Sequence, residues 1–269
     1  MLNIAISGAA GRMGRTLVRL AAADPELALA AALERADHPD LGRDAGELAG
    51  ADRLGVSIAS SLEGDIAALI DFSTADAMGD RLALAVARRA AFVVGTTGLD
   101  AHAGAALEKA AESVPVLAAP NMSVGVNLLF GLVGDVARRL GKTYDVEIVE
   151  THHRFKADAP SGTALRLAER LADALGRDLS RDAVHGRQGR PGPRGAREIG
   201  LHAVRAGDVV GDHTVIFASL GERVEITHRA HSRDAFALGA LRAAKFLAGK
   251  PPGRYEMAEV LGLPHENSG

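Results

Sequence analysis

The spacing of apolar and polar positions changes partway along the chain. Up to about residue 120, short apolar runs alternate with segments whose apolar residues recur at helical spacing. Strands that alternate with helices form right-handed βαβ units, so this part predicts a parallel sheet with helices on both faces. The predicted strands are residues 2–7, 27–34, 66–72, 91–95 and 114–118, the notable helices are 12–23 and 75–89, and residues 37–55 are predicted as a loop.

After Pro120 the pattern indicates a different architecture. Residues 161–175 form a clear helix, because apolar residues recur there at i, i+3, i+4, i+7 and i+11. Three strand-like runs that follow one another closely favour an antiparallel or mixed sheet. The predicted elements are helix 125–140, strand 143–151, the basic Gly/Pro-rich loop 185–197, strands 200–205, 213–219 and 223–229, and a last helix 232–248 with Ser232 as its N-cap.

Together these elements predict an α/β protein. The first domain is a Rossmann-like, doubly wound parallel sheet formed by residues 1–123 and 233–269. The second, residues 124–232, is an inserted α+β domain with a mixed sheet.

Composition then excludes several classes of protein. The 269 residues carry 31 Lys and Arg against 34 Asp and Glu, a net charge of −3, with 3% aromatic residues, so we expect no nucleic-acid partner. Cysteine is absent, which excludes disulfides, thiolate nucleophiles and Cys-ligated metals. No apolar run is long enough for a bilayer and no signal peptide is visible, so we expect a cytoplasmic enzyme without a membrane partner.

A glycine-rich turn lies between the first predicted strand and helix. Residues 8–14 read GAAGRMG, with the spacing G-x-x-G-x-x-G rather than the standard G-x-G-x-x-G. Glycines let the backbone approach a pyrophosphate, and the following helix offers free N–H groups and the positive end of its dipole. An ordinary glycine turn would also fit, but the strand before it and the helix after it favour a dinucleotide site. The candidate residues are Gly8, Ala9, Ala10, Gly11, Arg12 and Met13.

Two neighbouring charges make opposite predictions for the cofactor. Glu34 lies 20 residues after Gly14, where an acid commonly binds the adenosine ribose and would repel a 2′-phosphate. Arg35 follows it and would attract that phosphate. We therefore predict that both NADH and NADPH bind, and titration showing strict selection of one would contradict this.

Two further loops follow predicted strands of the same sheet. Ligands of open α/β sheets bind outside the carboxyl ends of the strands. Each loop alone would be an ordinary turn, but their joint placement indicates the nicotinamide end of the site. The candidates are Gly95, Thr96 and Thr97 in the first loop, and Ala119, Pro120, Asn121 and Met122 in the second.

The densest group of reactive side chains lies in residues 150–163, ETHHRFKADAPSGT. Imidazole carries protons near neutral pH, and an ammonium can both bind a carboxylate and deliver a proton. A Ser-Gly-Thr turn that enters a helix offers N–H and hydroxyl donors to an anion. The candidates are His152 and Lys156 for catalysis, and His153, Ser161, Gly162 and Thr163 for binding the substrate.

Other interpretations of this segment stay open at this point. A His pair can bind zinc, although no third ligand stands at a telling spacing. Lys156 could be a solvated surface charge, and Ser161 is a good N-cap whatever else it does. If the strand continued through the segment, His152 and Lys156 would share a face; a loop would let both imidazoles converge. The remaining histidines, including His185, His202, His213, His228 and His231, are interpreted as ordinary strand and loop residues.

Five segments resemble the 4-hydroxy-tetrahydrodipicolinate reductase family, also called the dihydrodipicolinate reductases. They appear in the family's order over nearly the whole chain, and the block around the His pair is the most specific. These segments are residues 8–14 (GAAGRMG), 95–98 (GTTG), 121–127 (NMSVGVN), 150–164 (ETHHRFKADAPSGTA) and 207–213 (GDVVGDH). The glycine loop departs mildly from many relatives, which have another glycine or a cysteine there.

The resemblance implies a bacterial enzyme of lysine and diaminopimelate biosynthesis. It would use NADH or NADPH to reduce a cyclic dicarboxylic imine and would form homotetramers through the mixed-sheet domain. It also implies that His152 is a proton donor or acceptor, that Lys156 is a proton donor, and that His153 binds the substrate.

Two alternatives remain. One is another enzyme on the same fold, such as an amino-acid or semialdehyde dehydrogenase, which substrate range would distinguish. The other is a nicotinamide-sensing regulator, which fits poorly because a sensor needs no His/Lys cluster beside a helix start.

Overall fold

A computed structural model describes residues 1–263 of the protein. Within it the chain divides into two compact units: Met1–Val124 with the chain from Arg233 onward, and Gly125–Ser232. Residues 264–269 of the predicted first domain lie outside the described residues.

The strands are β1 Leu2–Ser7, β2 Leu27–Leu33, β3 Ile58–Ala59, β4 Ala68–Asp71, β5 Ala91–Val94, β6 Pro115–Ala118, β7 Asp145–His152, β8 Ala183–His185, β9 Ile199–Arg205, β10 Gly211–Ser219, β11 Glu222–Ala230 and β12 Gly253–Tyr255. The helices are α1 Arg12–Ala22, α2 Ala45–Leu48, α3 Ala75–Ala87, α4 Ala101–Ala111, α5 Val124–Leu140, α6 Gly162–Leu175, α7 Leu179–Asp182, α8 Asp234–Leu247 and α9 Met257–Val260, with a 3₁₀ turn at Gly141–Thr143. None of the helices in residues 1–263 is both long and apolar enough to cross a membrane.

The first unit is built on a seven-stranded parallel sheet in the order β12-β6-β5-β4-β1-β2-β3. Side chains alternate between its faces, so Ile4 and Ile6 of β1 pack in one core while Ala5 packs in the other. Helices α1 and α8 cover the first face, and α3 and α4 cover the second. The predicted parallel sheet with helices on both faces is confirmed. The strand order reverses between β1 and β4, which places the switch point of the sheet beside the glycine loop.

The second unit is built on a five-stranded mixed sheet in the order β11-β10-β7-β9-β8, as predicted. The central strand β7 runs antiparallel to β10 and parallel to β9. Its alternate residues face a core shared with α5 and α6: Val146 and Ile148 are apolar, and then Glu150 and His152 continue the same buried row. The row therefore changes from apolar to polar toward the end of the strand.

The structure adds β3, α4, α7, β8, β12 and α9 to the predicted elements, and it differs from the predictions in other details. Residues 37–55 are not entirely irregular, because α2 forms there, and the Asp44 carboxylate accepts N–H groups from both α2 and residues 54 and 55. Ser232 is not the N-cap of the last helix, since α8 begins at Asp234 and Arg233 holds the cap position without a side-chain bond. Strand β2 ends at Leu33, so Glu34 comes just after it.

Candidate active site

The glycine loop packs tightly against its surroundings. Gly8 has a φ of +74°, and a Cβ added there would lie 2.5 Å from the backbone oxygen of Phe72. A Cβ on Gly14 would lie 2.0 Å from the oxygen of Gly8. The loop therefore needs glycine at both positions to bring its backbone onto the start of α1.

The start of α1 fits the phosphates of a dinucleotide. Gly11 is the N-cap and supplies no side chain, so no side-chain hydrogen bond caps the first turn. Gly11 and Arg12 are exposed, Met13 is half-buried, and Ala9 and Ala10 are buried beneath them. An anion at this end would receive backbone N–H groups and the favourable end of the helix dipole.

The two predicted ribose-site charges lie beside this loop. The Glu34 carboxylate accepts the N–H of Ala10 at 2.9 Å, which ties the acid to the glycine loop. Arg35 is exposed and pairs with Asp37 at 3.0 Å. Arg81 donates to the backbone oxygen of Glu34 at 3.0 Å and so fixes the turn after β2.

The loops after β5 and β6 lie at the same carboxyl edge of the sheet. In the first, a Cβ on Gly95 would lie 2.1 Å from the ring of Phe72, and Thr96 donates to the buried carboxylate of Asp71 at 3.0 Å. Thr97 is exposed.

In the second loop, Asn121 accepts the N–H of Ser123 at 2.9 Å. The Met122 side chain is buried in the core, so only its backbone can face a ligand. Ala119 is half-buried and Pro120 exposed. All fifteen predicted cofactor residues thus belong to loops or helix starts at one edge of the sheet.

The polar cluster of the second unit centres on Glu150, which is 1% exposed. One of its oxygens contacts Nδ1 of His152, and the other accepts the N–H of Ser161 at 3.1 Å. Arg205 from β9 donates to both oxygens, each at 2.9 Å. One carboxylate therefore joins the end of β7, the start of α6 and the end of β9.

His213 from β10 completes this cluster. Its ring lies edge-on to that of His152, with 5.2 Å between the centroids, and its Nε2 lies 3.2 Å from Oγ of Ser161. The same hydroxyl accepts the N–H of Ala164 at 3.2 Å, so Ser161 is the N-cap of α6. His213, interpreted from the sequence as an ordinary strand residue, does lie in a strand, and that strand brings it into contact with this cluster.

The other predicted substrate residues lie in and after a loop. Strand β7 ends at His152, so the alternative in which the strand continues to Lys156 is wrong. Lys156 is partly buried and pairs with Asp158 at 2.8 Å. His153 is half-buried, and its buried Nδ1 has no hydrogen-bond partner among the described residues. Gly162 is exposed and Thr163 half-buried in the first turn of α6.

Burial and charge set the protonation of the cluster. Burial lowers the pKa of His152, and the hydrogen bond and charge of Glu150 oppose that shift. Burial and the nearby His152 lower the pKa of His213 to about 3, so His213 is neutral near pH 7. Burial would raise the pKa of Glu150, but hydrogen bonds from Arg205 and His152 outweigh it and lower the pKa. Glu150 is thus an anion next to His152.

Sequence reasoning missed Glu150, Arg205 and His213 as members of the cluster. Glu150 opens the segment with the His pair, so that motif could have found it, whereas Arg205 and His213 come from strands distant in sequence. Among the other histidines, His202 bonds Glu147 at 2.6 Å in a separate cluster. The described residues contain no group of three or more acidic, His or Cys side chains able to hold a metal.

Comparison with known proteins agrees with the motif resemblance. A family model described as "Dihydrodipicolinate reductase, N-terminus" matches residues 2–122, and one described as "Dihydrodipicolinate reductase, C-terminus" matches residues 125–261. A relative from Alkalilimnicola ehrlichii, named 4-hydroxy-tetrahydrodipicolinate reductase, is 52% identical over 97% of this chain and 99% of its own. A relative from Pseudomonas fluorescens with the same name is 52% identical over 98% of this chain and 100% of its own.

A solved structure has the same fold. It is described as a dipicolinate-bound dihydrodipicolinate reductase from Paenisporosarcina sp. TG-14 and superimposes with a TM-score of 0.75 at 22% identity, covering 96% of this chain and 98% of the other. Two family models match residues 2–122 and 125–261, and two relatives are 52% identical over nearly the whole chain. The chain therefore belongs to the dihydrodipicolinate reductase family.

Proposed function

We propose that the chain is an NADH- or NADPH-dependent 4-hydroxy-tetrahydrodipicolinate reductase of lysine and diaminopimelate biosynthesis. The observation that carries this proposal is the coincidence of the family's most specific motif with a buried Glu–His–Arg cluster at the start of a helix. Each part of the reaction can be assigned to described residues.

Binding of the dicarboxylate is assigned to the start of α6 and the loop before it. Backbone N–H groups at Gly162 and Thr163 and the helix dipole would stabilise one carboxylate. Lys156 and His153 would supply positive charge and a further donor to the substrate. Because Lys156 is now paired with Asp158, a substrate carboxylate would replace an existing ion-pair partner rather than meet a bare ammonium.

Proton transfer is assigned to His152 and Lys156. The 4-hydroxyl of the substrate would leave as water, and the reduced nicotinamide, when bound, would supply the hydride to the ring. His152 can deliver the matching proton from Nε2, since its Nδ1 contacts Glu150. Lys156 can deliver a proton or stabilise charge on the ring.

Cofactor binding is assigned to the glycine loop and the neighbouring edge of the first sheet. The first turn of α1 would bind the pyrophosphate, and Glu34 and Arg35 would bind the ribose or a 2′-phosphate. Gly95–Thr97 and residues 119–122 would lie at the nicotinamide end. A homotetramer and a cytoplasmic location are also part of the proposal, and both rest on the family resemblance.

The test is oxidation of NADH and NADPH, run in parallel, with the cyclic substrate made in situ from pyruvate and aspartate semialdehyde. Rapid oxidation that requires the condensation product supports the proposal and gives the cofactor preference. If both cofactors bind but neither is oxidised, the substrate assignment is wrong. Sedimentation of the same preparation tests the tetramer separately.

A further inference from the structure

We propose that Glu150 is a positioning residue whose single carboxylate fixes both the imidazole of His152 and the substrate-binding start of α6. The inference rests on the proposed function, because it assigns a role in that reaction. It adds to the site a residue that would touch neither substrate nor cofactor and would act through its neighbours.

The imidazole of His152 and the start of α6 contact different oxygens of the Glu150 carboxylate. Oε2 contacts Nδ1 of His152, and Oε1 accepts the N–H of Ser161, which is the N-cap of α6. Glu150 and His152 are on the same face of β7, two residues apart, so the contact follows from strand geometry. A shift of the carboxylate would therefore displace the imidazole and the helix start together.

Arg205 holds that carboxylate in place. Its two terminal nitrogens donate to the two oxygens, which leaves Glu150 little freedom to rotate. Both oxygens of the Glu150 carboxylate are therefore occupied, by two N–H groups of Arg205, the N–H of Ser161 and the ring of His152. The side chain is also almost inaccessible to water. Such a carboxylate remains ionised and accepts hydrogen bonds only.

An ionised Glu150 determines which nitrogen of His152 is available. A carboxylate that only accepts requires hydrogen on Nδ1, so Nε2 is the nitrogen left to exchange a proton with the substrate. The negative charge also stabilises the imidazolium. The charged and titratable groups that face His152 are Glu150 on its own strand, Lys156 in the next loop, Arg205 on β9 and His213 on β10.

The chain contains a matched control on the same strand. Glu147 is also partly buried and bonds Arg187, Arg194 and His202, so it has a similar set of partners. It lies on the opposite face of β7, away from α6. A variant at Glu147 should therefore lose comparable interactions without changing His152.

The experiment compares Glu150→Gln with Glu147→Gln. For Glu150→Gln we expect kcat to fall at least about tenfold, because general acid–base catalysis contributes roughly 10²- to 10⁴-fold. In the pH profile of kcat, we expect the limb that reflects the pKa of His152 to move to lower pH. The reason is that the variant lacks the carboxylate that stabilises the imidazolium. Glu147→Gln should leave kcat and this limb unchanged, even if its thermal midpoint falls.

A second measurement does not depend on turnover. In ¹⁵N-labelled wild-type protein, NMR should show neutral His152 with its hydrogen on Nδ1, and Glu150→Gln should reduce that preference. If wild-type protein does not reduce the substrate, the proposed function is wrong, and the tautomer experiment still tests the role of Glu150. If the wild type is active but Glu150→Gln keeps its kcat, pH limb and His152 tautomer, the inference is wrong.

If Glu150→Gln does not fold, Arg205→Lys replaces it. This variant keeps the positive charge but cannot donate to both oxygens as the guanidinium does. A lower kcat with an unchanged thermal midpoint would support the inference, and wild-type kcat would overturn it.

Discussion

At the scale of single residues, Glu34 and Arg35 place opposite charges beside the site assigned to the adenosine ribose. We expect Glu34→Ala to raise the ratio of NADPH to NADH activity severalfold, because the carboxylate that repels a 2′-phosphate is removed. Arg35→Ala should lower the same ratio. Steady-state kcat/KM with both cofactors measures this ratio. If the ratio of NADPH to NADH activity were equal in the two variants, the assignment of Glu34 and Arg35 to the ribose site would be contradicted.

Lys156 is the second residue-scale prediction. Lys156→Met keeps much of the aliphatic side chain but removes the ammonium that pairs with Asp158. We expect kcat to fall about 10²-fold or more with little change in thermal midpoint, because proton delivery and charge stabilisation are lost. The exposed Lys109, in the last turn of α4, provides the control, and Lys109→Met should behave as wild type. Near-normal turnover in Lys156→Met would remove this role.

Glu147 predicts a pH dependence of stability. Burial would raise its pKa, but hydrogen bonds from Arg187, Arg194 and His202 outweigh burial and lower the pKa from 4.5 to about 2. A carboxylate with a lowered folded-state pKa stabilises the fold above its unfolded-state pKa and loses that contribution as pH falls. The lowered pKa corresponds to roughly 3 kcal/mol of stability at neutral pH.

The measurement is urea unfolding of wild type and Glu147→Gln. Wild type should be the more stable at neutral pH, and the difference in unfolding free energy should shrink from about pH 5 to about pH 3. A difference that stays constant over this range would show that the Glu147 charge does not contribute.

Residue-scale chemistry was only partly predictable from the sequence. His152, Lys156 and Ser161 could be found because they lie within one short segment. Arg205 and His213 could not, because they reach Glu150 and Ser161 through the pairing of β9 and β10 on either side of β7. Arg205 is 55 positions from Glu150, and His213 is 52 positions from Ser161, so no local sequence pattern links these pairs.

At the scale of elements, the glycine loop and α1 depend on a close backbone approach. A Cβ on Gly14 would overlap the oxygen of Gly8 and the backbone of Ala9, so Gly14→Ala must move the first turn of α1 away from the loop. We expect weaker binding of both cofactors and a loss of roughly 1–3 kcal/mol in stability. Gly104→Ala in α4 is the control, since a Cβ there meets nothing within 4 Å. Calorimetric titration and thermal unfolding test both, and normal affinity in Gly14→Ala would contradict the pyrophosphate assignment.

The predicted elements agree with the structure where apolar residues recur at regular spacing. They differ from it where local hydrogen bonds or caps determine where a helix forms or begins. The central strands and α6 follow directly from their apolar spacing. The short helix α2 depends on Asp44, whose carboxylate gathers four N–H groups, two of them from residues 54 and 55. The predicted cap at Ser232 failed because a serine before a helix does not determine which residue begins it.

At the scale of the whole molecule, the first unit is discontinuous in sequence. Helix α8 comes after the second unit, yet Ala240, Leu241 and Ala244 belong to the same core as α1 and β1. We expect residues 1–124 alone to lack a cooperative unfolding transition, because α1 alone would cover only part of one face of the sheet. A fusion of 1–124 to 233–263 through a short Gly/Ser linker should restore folding and cofactor binding. Circular dichroism and cofactor titration compare the two, and a cooperative transition in 1–124 alone would contradict this.

The same discontinuity affects the order of events during translation. Once residue 124 has been synthesised, 109 further residues precede α8, and their synthesis takes roughly 5–20 s. During that interval the parallel sheet lacks helix α8 and its edge strand β12. The inserted unit is completed at the end of the interval and can then fold before α8 and β12 have been synthesised. The insertion therefore reverses the usual N-terminal-first order, and ribosome-arrested chains should become protease-resistant in residues 125–232 before residues 1–124. A nascent sheet with a partly uncovered apolar face is also the state in which we expect this protein to depend most on chaperones.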